Sequence, residues 1–268
     1  MEKLDIFCFT HIPSAKLEKI GYQMGGIKKK DFPKNYLTCD EGINIIEKEK
    51  YYSEYVFHYW FWKNKLKSYD KDSWIGFCQK RRFWLQQSTT NDPSNFDNLN
   101  KLVLKKIPGE WKNYNSVIQP PMLLKEKKMV MLKRGYKSII KNPSIFFNEK
   151  KHSIKLHFDM HHGYKNLDRA IDVMNHDDRE DFKDYVNTQT SYSANNMFIA
   201  KKEVADKWFK NVFEWLFECE KIIGFKNLKG YETRMYAYLA ERYLSFWFNK
   251  YTNPIEWPWV FADLDKFE

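Results

Sequence analysis

Two apolar runs too short to be helices, Leu4-Asp-Ile-Phe-Cys-Phe-Thr10 and Ser73-Trp-Ile-Gly-Phe-Cys78, alternate with long stretches whose apolar residues recur at helical spacing. Short buried strands separated by long amphipathic helices are the signature of an α/β fold. His11-Ile-Pro13 ends the first run. Residues 43–66 carry Ile45, Ile46, Tyr52, Tyr55, Val56, Tyr59, Trp60 and Trp62, a broad helical face closed by Lys63-Asn64-Lys65. A polar loop with a short helix is expected over 90–113. Ser116-Val-Ile118 reads as a strand stopped by Pro120-Pro121, and Lys128–Lys133 as another. Helices are predicted over 164–186, 202–223 (stopped by Gly224) and 231–250, with an apolar segment over 192–200. Pro254 and Pro258 are expected to break regular structure. With no Gly/Ser-rich linker and no repeat, residues 1–268 read as one domain.

The 43% hydrophobic and 18% aromatic content rules out a disordered chain. A net charge of +10 implies an affinity for phosphates. Nucleic acid, an anionic membrane leaflet and a nucleoside diphosphate all fit that description. The longest basic block is Lys28-Lys29-Lys30, too short for a nucleic-acid arm. Cys8, Cys39, Cys78 and Cys219 form no C-x-x-C pair, which points to free thiols in a reducing compartment rather than disulfides or zinc. The start shows no signal-peptide region, and no run is long enough to span a membrane. A cytoplasmic protein is expected, with peripheral contact at the inner face of the membrane compatible with the basic surface.

Four segments set charge into apolar surroundings, which is costly unless the charge is paired or used. They are Leu37-Thr-Cys-Asp40-Glu-Gly42-Ile-Asn44-Ile45 with Tyr51-Tyr52-Ser-Glu54 and Tyr59-Trp60-Phe-Trp62-Lys63-Asn64; Trp74-Ile-Gly-Phe-Cys-Gln79-Lys-Arg-Arg82-Phe83; His162-Gly-Tyr-Lys-Asn166-Leu-Asp168 with Asn196-Met-Phe-Ile199; and Trp215-Leu-Phe217 with Arg234-Met-Tyr-Ala-Tyr-Leu239-Ala-Glu-Arg242. In this order they resemble a family of glycosyltransferases from capsular polysaccharide and O-antigen gene clusters, long described only as a domain of unknown function (DUF4422-like). The family pattern runs D-x-G-x-N-I, E-L-T-x-x-Y-W-x-W-K-N, Y-I-G-L-x-H-Y-R-R-Y-F, H-x-x-x-D-L-D, N-M-F-I, W-L-F and R-x-x-G-F-L-A-E-R-L. The likeness covers about residues 4–250.

The resemblance implies a GT-A-like nucleotide-sugar-binding domain with a mostly parallel central sheet flanked by helices. It also implies transfer of a hexose, of galactose or galactofuranose type, from a UDP-sugar or related donor to a glycan or lipid-linked glycan. The sequence departs from the pattern in three places. Gln79-Lys80 stand where the family has His-Tyr, and Ala237 where it has Gly. The Asp-x-Asp motif that holds Mg or Mn in GT-A enzymes is missing from mid-chain. Asp70-Lys-Asp72 precedes a strand and Asp263-Leu-Asp265 lies in the tail, so no metal or other cofactor is firmly implied.

Glycosyl transfer requires a stabilised diphosphate, a deprotonated acceptor hydroxyl and a sugar held in line. Arginine suits the first task because its planar fork binds two oxygens and stays charged. Arg81 and Arg82 follow a strand, and adjacent residues there point opposite ways. One is expected on the diphosphate and the other in a structural pair. Glu241 is a candidate general base, with Arg234 two turns earlier on its side of the helix and Arg242 beside it. The alternative is a Glu–Arg pair that fastens the helix. Asp168 competes as base, or simply stabilises a helix start. Asp40, Asn44, His162 and Asn196 complete the donor-binding candidates, although Asp40-Glu41-Gly42 is also ordinary turn chemistry. His157 and His161, four apart, would share a face and could bind metal if 157–162 were helical, but no H-E-x-x-H pattern supports this, an irregular segment fits equally, and surface or hydrogen-bonded histidines are the better reading. Two readings from other classes compete: a basic nucleic-acid-binding protein, which lacks any recognised motif, and an inactive glycan-binding module.

Overall fold

The computed structural model describes residues 2–89, 92–127 and 152–267. The strand expected at Lys128–Lys133 lies outside them. Strands β1 (Leu4–Phe9), β2 (Gln23–Gly26), β3 (Leu37–Thr38), β4 (Trp74–Gln79), β6 (Ser116–Ile118), β9 (Phe198–Lys201) and β10 (Pro254–Glu256) form a sheet in the order β10-β6-β9-β4-β1-β2-β3. Only β9 runs antiparallel, against both β4 and β6. The expected α/β class with a mostly parallel sheet is thus the one observed. A short ribbon, β5 (Arg82–Trp84) with β11 (Trp259–Phe261), hangs from the end of β4, and β7 (Met122–Leu123) pairs with β8 (Ser191–Tyr192) separately.

Strand alternation explains why both sheet faces are covered. Phe7, Phe9, Ile75 and Phe77 point into one core, with α3 (Tyr55–Asn64), α8 (Lys202–Ile223) and α9 (Met235–Tyr251). Ile6, Cys8, Trp74 and Cys78 point into a second core with Trp84, Leu99 and Trp111. Gly76 sits at the crowded centre of β4. A Cβ there would lie 2.8 Å from Ile199 Cγ1 and 3.1 Å from Ile6 Cγ1. All four cysteines are free and buried, as expected. No helix among the described residues is long and apolar enough to cross a membrane.

The helices depart from the sequence reading at informative points. The single helix expected over 43–66 is broken into α2 (Glu49–Tyr52) and α3 by Ser53, whose φ of 50° no helix accommodates. The helix expected over 164–186 is two, α6 (Asn166–Asp172) and α7 (His176–Thr188), because Asn175 is extended and the Met174 carbonyl turns out to accept from Arg179 Nε and Nη2. Pro258 lies in the two-residue break between β10 and β11, as expected, but Pro254 does not end regular structure. Pro254 opens edge strand β10, where a missing N–H costs nothing, and the Pro258 carbonyl accepts from Leu85 N. Residues 157–162 belong to a regular helix, α5 (Ile154–His162).

Strand order reverses at β1, whose neighbours are β2 and β4. Ligands in open α/β sheets bind beyond the carboxyl ends of strands at such a switch. Here that end of β4 is Gln79.

Candidate active site

A cavity of about 730 Å³ opens beyond the end of β4. Its walls come from chain segments far apart in sequence, and each delivers its polar group by a specific device. Ser53 reverses the backbone between α2 and α3 and so turns Glu54 inward, where it is 6% exposed. Gln79 ends β4 and Arg82 begins β5, in register across the tight turn. Asn195 and Asn196, with φ of 77° and 52°, form a left-handed turn just before β9. Consecutive left-handed residues other than glycine are strained and are retained where the surroundings enforce them. Helix α9 presents Tyr238, Glu241 and Arg242 on one side, and the 3₁₀ turn before it supplies Arg234.

These groups form a connected network. Glu54 Oε1 accepts from Asn196 Nδ2 at 2.9 Å and from Gln79 Nε2 at 3.1 Å, and Oε2 accepts from Arg234 Nη2 at 3.1 Å. Arg234 Nη2 also donates to Ser53 Oγ at 2.6 Å. Burial alone would raise the Glu54 carboxyl. The Arg234 charge and the bonds from Asn196 and Ser53 outweigh it and hold the group below the ordinary carboxylate value. Asn195 N donates to Glu241 Oε1 at 2.7 Å, and Glu241 Oε2 pairs with Arg242 Nη1. Arg242, 1% exposed, donates through Nη2 to His157 Nδ1 at 3.1 Å and lies over the Tyr192 ring at 4.4 Å. Burial opposes its charge, but Tyr192 and Glu241 raise its pKa on balance.

Arg82 is held differently. Its Nη1 donates to Gln79 Oε1 at 2.6 Å and its guanidinium lies 5.7 Å from the Phe261 ring centroid. Among the described residues no carboxylate comes within ion-pair distance of it, whereas Arg234 is paired with Glu54 and Arg242 with Glu241. Burial lowers its pKa, as expected for a desolvated cation without a contact partner. Among the described residues of the lining, three arginines, Arg82, Arg234 and Arg242, face two carboxylates, Glu54 and Glu241. Aromatic rings complete the walls. His162 stacks on Tyr238 at 3.9 Å, Tyr231 on Tyr238 at 5.1 Å, and Trp259 and Phe261 also line the cavity.

The sequence matches, over residues 6–253, the family described as Domain of unknown function (DUF4422). The chain belongs to the DUF4422 family. Comparison with curated protein sequences finds no match. Among solved structures the fold is similar to the apo structure of the WbbM bifunctional glycosyltransferase, with a TM-score of 0.74 and 17% sequence identity. The superposition covers 98% of this chain and 46% of that one, so this chain spans under half the length of WbbM. At that identity the likeness is one of fold.

Of the residues singled out from sequence, the DUF4422 fold brings Arg82, His162, Asn196, Arg234, Glu241 and Arg242 to the cavity. Arg234 lies with Glu54 rather than with Glu241, because the break at Ser53 places Glu54 beside it. Four candidates lie elsewhere. Arg81 lies in the turn itself, outside the cavity lining, and pairs with Asp263 at 3.7 Å. Asp168 is half exposed in the first turn of α6, tied at 2.8 Å to Lys155, which also holds Asp159 at 2.9 Å. Asp40 accepts from Lys29 N at 3.0 Å. Asn44 bonds Gly42 O at 2.9 Å and Ile46 N at 3.2 Å within its own turn. His157 and His161 do share a face, with rings 4.2 Å apart, and His161 Nδ1 bonds the His157 carbonyl at 2.8 Å. Among the described residues no group of three or more His, Cys, Asp or Glu side chains is arranged to hold a metal ion.

Sequence reasoning passed over Glu54 and Asn195 as site residues and treated Gln79 only as a departure from a pattern. The available signals were a carboxylate inside the apolar stretch Tyr51–Trp62 and the Asn195-Asn196 doublet ahead of an apolar strand.

Proposed function

We propose that this DUF4422 protein is a glycosyltransferase that moves a hexose, of galactose or galactofuranose type, from a nucleoside-diphosphate sugar to a growing surface polysaccharide. UDP-sugar is the favoured donor, a glycan or lipid-linked glycan the acceptor, and the cytoplasmic side of the membrane the place of action. The observation that carries this reading is Arg82. It is a part-buried guanidinium without a carboxylate partner among the described residues, at the carboxyl end of the sheet and in one cavity with two carboxylates. The likeness of fold to the WbbM bifunctional glycosyltransferase supports it.

In this reading Arg82 faces the diphosphate and takes up the charge that develops on its bridging oxygen as the bond to the anomeric carbon breaks. The acceptor hydroxyl gives its proton to Glu241 as its oxygen bonds to the anomeric carbon. Glu54 and Arg234, bound to each other, shape the floor. Tyr238, Trp259 and Phe261 offer ring faces to the C–H faces of sugars. Arg242 acts through Glu241, whose carboxylate it holds. Asn196 acts through Glu54, since its amide is already engaged by Glu54, the Ala237 carbonyl and Tyr55.

The test is nucleoside-diphosphate release from a panel of UDP- and GDP-sugars, with and without glycan acceptor. One donor should turn over, and Arg82→Ala should abolish that turnover. Release from no donor, or full activity in Arg82→Ala, would remove the basis of the proposal.

A further inference from the structure

The geometry points to Gln79 as the positioning residue that presents Arg82 to the leaving diphosphate and keeps the cavity carboxylates off it. The inference rests on the glycosyl-transfer reading above and adds to it the device that leaves Arg82 without a paired carboxylate among the described residues.

The orientation of the Gln79 amide is fixed by its neighbours. Nε2 donates to Asn195 O at 2.7 Å and to Glu54 Oε1 at 3.1 Å, while Oε1 accepts from Arg82 Nη1 at 2.6 Å. A carbonyl and a carboxylate only accept and a guanidinium only donates, so the amide has one orientation that satisfies all three. Both N–H groups and the carbonyl are therefore spent on aligning others. The amide stands between an anion and a cation and carries no charge itself. Glu54 is thereby linked to Arg82 without neutralising it, and its charge goes to Arg234 instead.

Few side chains could do this. A leucine would leave Arg82 Nη1 without its partner and free the guanidinium to turn. A glutamate would discharge Arg82 directly and set a second carboxylate against Glu54. The charged groups that act on this point are Glu54 from the α2–α3 break, Arg81 and Arg82 from the β4–β5 turn, Arg234 from the turn before α9 and Glu241 from α9. Two carboxylates in contact cannot both stay ionised easily, so a glutamate at 79 would take up its proton at a raised pH. Once protonated it mimics glutamine, donating to Glu54 and accepting from Arg82.

The experiment is calorimetric titration of UDP, with GDP in parallel, into wild type, Gln79→Leu, Gln79→Glu and Arg82→Ala between about pH 5.5 and pH 8, each variant's fold checked by thermal melting. Gln79→Leu should bind about tenfold more weakly, the effect of one charge-assisted hydrogen bond. Gln79→Glu should bind more weakly still at the upper pH, and its deficit relative to wild type should shrink as pH falls. A residue that merely braced the turn would show no such acid rescue. Wild-type affinity in Gln79→Glu, or a deficit equal at every pH, overturns the role of Gln79. If Gln79→Glu does not fold, wild-type affinity in Gln79→Leu does the same. Failure of the wild type to bind either nucleotide, or undiminished binding by Arg82→Ala, overturns the transferase reading first. A defect in Arg82→Ala with none at position 79 overturns this inference alone.

Discussion

The loop that follows β3 and the loops that meet beyond β4 are built from the same polar residue types, yet they use them in opposite ways. After β3, Asn44 bonds backbone groups two residues away on either side, and Asp40 reaches only to Lys29. Beyond β4, Gln79 reaches Asn195, Asn196 reaches Glu54, and Glu54 reaches Arg234 across 180 residues of chain. Local bonds close small loops and form wherever the turn forms. Long-range bonds exist only once the whole sheet is assembled. Among the described residues, three of the four other than glycine with positive φ, Ser53, Asn195 and Asn196, also belong to the second region, and Lys165 lies outside it. Polar satisfaction drawn from distant segments, together with backbone strain, is what separates a site from a turn.

The sharpest way to break this contrast is at Glu241. Glu241→Gln keeps a carbonyl oxygen for the Asn195 amide but removes the proton acceptor. Transfer should fall by about a hundredfold or more while the fold persists. Steady-state turnover beside a melting curve decides it, and near-normal turnover would reassign the base.

The next effect is on stability and carries a pH signature. Folding lowers the Glu54 carboxyl below its ordinary value of 4.5. Its contribution is therefore fully present above the unfolded value and is lost as pH falls through the folded one. Glu54→Gln should destabilise the protein at neutral pH by about 2 kcal/mol, less than for a fully buried pair because Arg234 stays half exposed to water. In urea titrations the gap from wild type should narrow below about pH 4. A gap independent of pH would mean that the Glu54–Arg234 pair adds nothing to folding.

Asn195 gives a smaller effect that sharpens the strain argument. Alanine at φ 77° suffers from its Cβ, and glycine does not. Asn195→Ala should be less stable than Asn195→Gly by about 1 kcal/mol, measured by denaturant midpoint. Equal stability would show that the turn relaxes and holds no strain.

How much was legible in the sequence follows the same division. Strands β1 and β4 and helix α8 were readable because period and burial are local properties of the chain. Arg82 was readable to within a pair, since the sequence puts Arg81 and Arg82 together after β4 but does not say that the turn takes Arg81 and leaves Arg82 to open β5 at the cavity. Glu54 was hidden because helical spacing runs smoothly through residues 43–66. The break at Ser53 is enforced from outside, where Arg234 bonds its hydroxyl. Helix periodicity ran Arg234 into the same helix as Glu241, but Arg234 sits in the 3₁₀ turn before α9, where the nearer carboxylate of Glu54 claims it.

The smallest predicted effects fall where the sequence suggested function and the structure shows turns. Asp40→Ala removes one acceptor from the Lys29 amide, Asn44→Ala removes bonds inside the Gly42–Ile46 turn, and Asp168→Asn weakens an exposed pair with Lys155 that Asp159 shares. Each should cost about 0.5–1 kcal/mol of stability or less. None touches the cavity, so none should change donor turnover by more than about twofold, well under one hydrogen bond's worth of binding. Donor kinetics on the three single variants make the comparison exact in both directions. A large rise in donor KM for Asp40→Ala or Asn44→Ala, with stability unchanged, would mean that the ligand extends past the end of β4 onto the β3 loop. Locally satisfied polar groups would then be part of the site after all, and sequence separation would cease to mark its boundary.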